Sequence, residues 1–164
     1  MKKYTFDTNC FIDAVNSNSH SYQPLQQILE AARNGIIQIV VSLHTLYELE
    51  QKKDEAWNLA KTFFVLDHWP IGSWDDQVGN WVQQVGSWND AKKNDEIQKE
   101  LEKLAKSGND IRDRGAYLDA LCNKCDGFIT SDKQLVGSGP AKRINEHFSM
   151  PVMTPESLVQ KMSL

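Results

Sequence analysis

Lys3-Tyr4-Thr5-Phe6-Asp7-Thr8-Asn9 is a short β-prone run that stops on a carboxylate, and Gly127-Phe128-Ile129-Thr130-Ser131-Asp132 repeats the arrangement late in the chain. Between them, Ile36-Ile37-Gln38-Ile39-Val40-Val41 is nearly all apolar, as a parallel strand covered on both faces has to be, and it ends at Ser42. A shorter run, Pro151-Val152-Met153, reads as a last strand. Helical repeats lie between these runs, so the expected fold class is α/β, with a mostly parallel sheet and right-handed crossovers. In such a sheet, ligands collect outside the carboxyl ends of the strands, which is where Asp7 and Asp132 fall.

Outward from the strands, Thr8 or Asn9 caps a helix carried by Phe11, Ile12 and Val15. Pro24 opens a helix whose Leu25, Ile28, Leu29 and Ala32 share a face, and Gly35 ends it. Ser42 caps a helix through Leu46, Leu49 and Glu50, and the spacing of Trp57, Ala60, Lys61 and Phe64 predicts another over 54–66. The character changes over 67–107, which holds Trp69, Trp74, Trp81 and Trp88. There Trp74, Val78, Trp81, Val82 and Val85 trace one amphipathic helix, and Ile97, Leu101 and Leu104 a second, so the segment reads as a helical insertion. A helix from Gly108 to about Lys124 carries Ile111, Gly115, Leu118 and Cys122 on its apolar side. Gly137-Ser138-Gly139-Pro140 reads as a flexible loop, and Thr154-Pro155-Glu156 as the start of a closing helix.

Composition narrows the function. The 164 residues carry 18 Lys and Arg against 22 Asp and Glu, a net charge of -4, which excludes a uniformly basic nucleic-acid binder. It leaves open a nuclease whose site is itself a pocket of carboxylates. A hydrophobic fraction of 40% is enough for a real core, and the length fits a single domain over 1–164. No apolar stretch approaches the ~20 residues that cross a bilayer, and Asp7 interrupts any leader-like start. Three cysteines, Cys10, Cys122 and Cys125, are expected as reduced thiols in a soluble, cytoplasmic protein. Cys122-x-x-Cys125 lacks the second pair that a structural zinc site needs, and it closes a helix instead of opening one, so both are expected as small buried hydrophobes.

Four acids stand at the ends of elements: Asp7, Glu48, Asp113 and Asp132. Each alone has an ordinary role, as a cap, a solvated helix residue, a first-turn acid or a turn residue. Their joint placement directs them to one edge of a parallel sheet. Such a cluster, with no Cys or His partner, suits Mg²⁺ or Mn²⁺ and suits zinc poorly. Asn9, Thr130 and Ser131 are neutral neighbours able to orient an acid or a water. Asp113 has the better spacing to Asp132, while Asp110 sits one turn earlier and can face the same pocket. Asp119, far around the helix from Asp113, reads as a surface residue paired with a basic neighbour. His20, His44, His68 and His147 are given no role.

These motifs, in this order, resemble the PIN-domain ribonucleases, especially the VapC-like toxins of bacterial toxin–antitoxin pairs. The opening matches Asp7-Thr8-Asn9, and the second acid follows a strand-ending serine as in Ser42-x-x-Thr45-x-x-Glu48-Leu49. The third block is similar to Asp113-Arg114-Gly115-Ala116-Tyr117-Leu118-Asp119-Ala120 followed by Thr130-Ser131-Asp132, and the tail to Val152-Met153-Thr154-Pro155-Glu156. The resemblance covers about Lys3–Leu66 and Ser107–Ser163 and gives no guidance for the tryptophan-rich segment. It implies a three-layer α/β/α fold and Mg²⁺- or Mn²⁺-dependent hydrolysis of RNA with Asp7, Glu48, Asp113 and Asp132 as catalytic and metal-binding residues. It also implies a homodimer and a small antitoxin partner. Arg112, Arg114 and Lys133 flank the acids and are the expected contacts to RNA phosphates. Two other readings compete. A haloacid-dehalogenase-like phosphatase needs an acid where Asn9 stands, and the four acids argue against a non-catalytic RNA- or protein-binding module, in which they would serve as a structural ion site.

Overall fold

The computed structural model of the chain describes residues 1–66, 88–104 and 108–164, with side chains from Lys93 and from Arg114 onward in the last two stretches. β1 (Lys2–Phe6) leads into α1 (Thr8–Ala14) and α2 (Tyr22–Arg33), then β2 (Ile37–Ser42), α3 (Leu43–Glu50), α4 (Glu55–Ala60) and β3 (Phe64–Leu66). After α5 (Trp88–Leu104) and α6 (Gly108–Cys122) come β4 (Gly127–Ile129), α7 (Lys133–Val136), α8 (Gly139–Phe148), β5 (Val152–Met153) and α9 (Pro155–Met162). The strands form one sheet in the order β3-β2-β1-β4-β5, and every pairing is parallel.

The pleat distributes the apolar side chains to two cores. Tyr4, Phe6, Ile37, Ile39, Val41 and Ile129 pack on one face against α1, α2, α4 and α9, through Phe11, Leu25, Ile28, Ala60 and Leu158. Val40, Leu66 and Phe128 pack on the other against α5, α6 and α8, through Leu101, Tyr117, Leu121 and Ile144. Neighbours in sequence such as Val40 and Val41, or Phe128 and Ile129, serve opposite faces and are all at most 1% exposed. This explains why the central strand β2 reads as a nearly continuous apolar run. Tilted ring pairs, Phe6 with Phe11 at 5.5 Å and Tyr117 with Phe128 at 4.7 Å, join strand to helix on each side. Ile97, Leu101 and Leu104 of α5 all turn to the second core, as their spacing predicts.

Two expectations need correction. The helix predicted over 54–66 ends at Ala60, and Phe64–Leu66 is instead an edge strand, with Val40 opposite Phe64 and Ser42 opposite Leu66. Asp54 caps the short helix by accepting from Ala56 N at 3.1 Å, and the β-prone Phe64-Val65-Leu66 then completes the ladder that β2 leaves open. The Gly137–Pro140 loop contains a helix start. Ser138 Oγ accepts from Ala141 N at 3.3 Å, and Pro140 suits a first turn, where no N–H is needed. The helix expected over Trp74–Val85, with Trp69, lies outside the described residues, as does the side chain of Trp88.

Cys10 and Cys125 are buried and Cys122 is half-buried, all three as free thiols. Burial pushes the Cys122 and Cys125 thiols up to about 12, so both stay protonated. Among the described residues, no helix is long and apolar enough to cross a membrane.

A candidate active site at the carboxyl edge of the sheet

From β1 the chain builds β2 and β3 to one side and later β4 and β5 to the other, so the strand order reverses at β1 and β4. The helix after β1 covers one face and the helices after β4 the other, which opens a crevice between them. Asp7 and Asp132 stand at this switch point. Asp7 N donates to Ile129 O at 2.8 Å, extending the β1–β4 ladder by one residue and fixing where the Asp7 side chain begins.

Asp7 is the N-cap of α1 and is 9% exposed. Its Oδ1 accepts from Thr8 N at 2.7 Å and its Oδ2 from Thr130 Oγ1 at 2.9 Å. Thr130 Oγ1 also accepts from Asp132 N at 3.1 Å. An amide N–H can only donate, so the hydroxyl hydrogen is directed to Asp7. Asp132 caps α7 by accepting from Gln134 N at 3.0 Å and Leu135 N at 3.4 Å, and its side chain is exposed. Burial raises the Asp7 pKa above its ordinary value, and the negative charges of Glu48 and Asp132 push the same way, against the hydrogen bonds from Thr130 and Thr8. Two of the other expected acids, Glu48 and Asp132, therefore act electrostatically on Asp7.

Glu48 reaches this place from the far end of α3. Its Oε2 accepts a hydrogen bond from Thr8 Oγ1, so Thr8 holds Asp7 with its backbone and Glu48 with its side chain. Glu48 Oε1 lies 3.2 Å from His44 Nε2, one helical turn earlier. Asn9 is exposed on the first turn of α1, and Ser131 is half-buried; the Cys10 thiol donates to Ile129 O at 3.3 Å. Lys133 is exposed at the first position of α7, while Arg114 is half-buried and partnered inside the protein. The backbones of Asp110, Arg112 and Asp113 lie on α6, and their side chains fall outside the described residues.

Asp119 is not a surface residue. It is 1% exposed and accepts a hydrogen bond from Ser42 Oγ, which itself accepts from His44 N at 3.1 Å to cap α3. Helical spacing places Asp119 beside Gly115, Leu118 and Cys122, on the side that packs against the sheet. That signal was available in the sequence. His44, given no role from the sequence, shares one face of α3 with Glu48 through their i,i+4 relation.

All the acids at this edge offer oxygen, the donor that Mg²⁺ and Mn²⁺ prefer, and their mutual repulsion is what a divalent cation relieves. Among the described residues, no group of three or more His, Cys, Asp or Glu is close enough to hold an ion. In chemistry the donor set fits a hard cation. The arrangement of the described side chains is one in which Asp7 and Glu48 are tied to protein groups.

No protein-family model matches the chain, and no curated protein matches it in sequence. Its fold is that of a chain in the crystal structure of VapBC2 from Rickettsia felis, solved bound to a DNA fragment from their promoter. The alignment covers 93% of this chain and 98% of that one, with a TM-score of 0.50 and 18% identity. The VapC-like, PIN-type resemblance read from the motifs therefore holds for the fold.

Proposed function

We propose that this protein is a metal-dependent endoribonuclease that hydrolyses RNA phosphodiester bonds, the toxin of a toxin–antitoxin pair. The observation that supports it best is the electrostatic coupling of Asp7, Glu48 and Asp132 at the switch point of a sheet whose fold is shared with a VapBC2 chain. Asp7, Glu48, Asp113 and Asp132 would hold Mg²⁺ or Mn²⁺. When bound, the ion supplies Lewis acidity, lowering the pKa of a water and offsetting charge on the phosphoryl oxygens. Thr130 and the Thr8 backbone orient Asp7, and Thr8 Oγ1 orients Glu48, so the acids are aimed before substrate arrives. In this reading Asn9, Asp110 and Ser131 would be supporting neighbours of the acids. Arg112, Arg114 and Lys133, which flank Asp113 and Asp132 in sequence, would supply the positive charge for RNA phosphates that an overall net charge of -4 does not provide.

The same reading includes a small antitoxin partner, a homodimer and action in the cytoplasm. Light scattering at micromolar concentration tests the dimer, and co-purification with the product of a neighbouring small reading frame tests the partner. Activity is tested by incubating the purified protein with single-stranded RNA and Mg²⁺ or Mn²⁺, beside a simple phosphate ester. Cleavage of RNA that EDTA stops and Asp7→Asn abolishes is the expected result. Hydrolysis of the ester alone points to a phosphatase, and RNA binding without cleavage to a non-catalytic module.

A further inference from the structure

We propose that the cleft at the amino edge of the sheet, between α2, α4 and the starts of β2 and β3, binds a small aromatic carboxylate. Arg33 receives the anion, and Phe63 and Phe64 receive the ring system. The site goes beyond the nuclease reading and does not depend on it.

The cleft holds about 430 Å³. Small-molecule sites run from roughly 300 to 1,000 Å³, mostly apolar with a few polar groups that fix orientation. Its floor is the amino half of β2, where Ile37 and Ile39 are 3% and 4% exposed. Leu29 of α2 forms one wall, and Leu59 of α4 with Phe63 and Phe64 forms the other. The Phe63 ring is anchored in the first core, 6.0 Å from that of Phe11, whereas Phe64 is 68% exposed at the rim. At Gly35, which also lines the cleft, an added Cβ would meet no atom within 4 Å, so the mouth is open on that side. The floor ends well short of the acids, because Ser42 lies five residues beyond Ile37, roughly 16 Å along the strand.

The polar groups are few and agree in sign. Arg33 is exposed and has no ion-pair partner among the described residues, and no acid among them lines the cleft. Gln38, half-buried on β2, carries an amide whose N–H₂ has no hydrogen-bond partner among the described residues. Thr62 directs its hydroxyl to Leu59 O at 2.7 Å and leaves the role of donor to the other two. The helix dipole alone favours a cation in the last turn of α2, but it does not set an open apolar cleft and a second donor beside it. A guanidinium can only donate, and its planar fork matches a carboxylate. Flat aromatic bodies gain from offset or edge contact with phenyl rings, which the Phe63–Phe64 wall provides. The occupant these groups select is an apolar aromatic body bearing one carboxylate.

The test uses naphthoate as the probe and its neutral amide, naphthamide, as the isostere. Each is titrated into the isotope-labelled full chain and followed by backbone amide chemical shifts, with thermal melts as the folding control. Saturable shifts concentrated at 29–39 and 59–64 are expected, with the acid binding about fivefold more tightly than the amide, the upper end for an exposed ion pair. Arg33→Gln is expected to abolish that preference while leaving naphthamide affinity unchanged. Phe64→Ala is expected to weaken both ligands by about threefold, because the ring wall serves both. Both side chains are exposed, so the melts should hardly move. Shifts that do not saturate at millimolar ligand overturn the proposal, and so do shifts at the Asp7–Asp132 edge or equal affinity for acid and amide in the wild-type chain. That last comparison needs no variant, so it decides even where a substitution unfolds the protein. Loss of the RNA reading leaves this site standing, and failure here leaves the RNA reading untouched.

Discussion

Ser42, the last residue of β2, donates its hydroxyl hydrogen to the buried carboxyl group of Asp119 on α6, 77 residues later in the chain. Because Ser42 Oγ accepts from His44 N, one hydroxyl both starts α3 and ties it to the helix that carries Asp113. Thr130 does the equivalent at the end of β4, accepting from Asp132 N and donating to Asp7. Two strand ends thus use the same arrangement: a hydroxyl, a helix start and a carboxyl group.

Ser42→Ala removes the cap of α3, worth about 1 kcal/mol, and leaves a buried oxygen of Asp119 without this donor, which costs about 1–3 kcal/mol more. The expected loss is therefore about 2–4 kcal/mol in urea unfolding. Asp119→Asn keeps an acceptor for Ser42 and is expected to cost less than Asp119→Ala. If Ser42→Ala and Asp119→Ala add without coupling in a double-mutant cycle, the hydrogen bond contributes nothing.

Asp7 sets a pH dependence whose sign follows from its raised pKa. In the unfolded chain it titrates near 3.8, and in the folded chain higher, because it is buried beside Glu48 and Asp132. What the protonated group contributes to stability is fully present below about 3.8 and is lost as pH rises through the higher folded value. Asp7→Asn removes that loss. In EDTA, the variant is expected to gain on wild type as pH rises above 3.8, and to be the more stable of the two at neutral pH. Unfolding curves of the two proteins that stay parallel across that range would contradict the assignment.

Cys122 and Cys125, with thiols pushed up to about 12, should react slowly in the folded protein. At pH 7 only about one in 10⁵ is thiolate, against roughly one in 30 for an ordinary thiol of pKa 8.5. Iodoacetamide labelling is expected to be slow in buffer and to become rapid in urea. Fast native labelling of either residue would show that its burial is not maintained.

The sheet was legible wherever a strand announced itself by its own composition. β1 is a β-prone run and β2, β4 and β5 are largely apolar ones, all with clear stops, and the two cores on either side of β2 explain why its alternation is hidden. β3 was not legible, because Phe64 falls in helical step with Trp57, Ala60 and Lys61. It is a strand only because the edge of β2 is open to it, a fact of the assembled sheet. The acids divide in the same way. Asp7, Glu48 and Asp132 sit at element ends that local sequence defines. Asp119 reads as a surface residue because it lies far around the helix from Asp113, while its partner Ser42 lies on a different element. The close approach of His44 to Gly115 is hidden too, because no local window connects the two.

Lys133 gives a test of how RNA reaches the acids. It is exposed at the start of α7, beside Asp132, in a protein whose net charge is -4. Removing one phosphate contact lowers the slope of log affinity against log salt by about 0.7 for a single strand. Lys133→Ala, assayed on an uncleavable background, is expected to bind single-stranded RNA more weakly at low salt and to lose about that much slope. An unchanged slope would place the RNA path elsewhere.

The catalytic reading makes graded demands on the acids and the group that orients them. Asp7→Asn keeps the acceptor facing Thr8 N and nearly the same volume, but removes the charge at the centre of the cluster. RNA cleavage in Mg²⁺ is expected to vanish while the fold remains. Thr130→Val keeps the shape of the strand end and removes only the donor to Asp7 Oδ2, which leaves the charge in place and loosens its aim. Its expected effect is about 10–100-fold on the cleavage rate, as for other groups that orient a ligand. Wild-type cleavage by Asp7→Asn would refute the mechanism outright. Loss in Asp7→Asn together with a fully active Thr130→Val would keep the acid and discard the orienting hydroxyl, because a group that aims a ligand cannot be removed without cost.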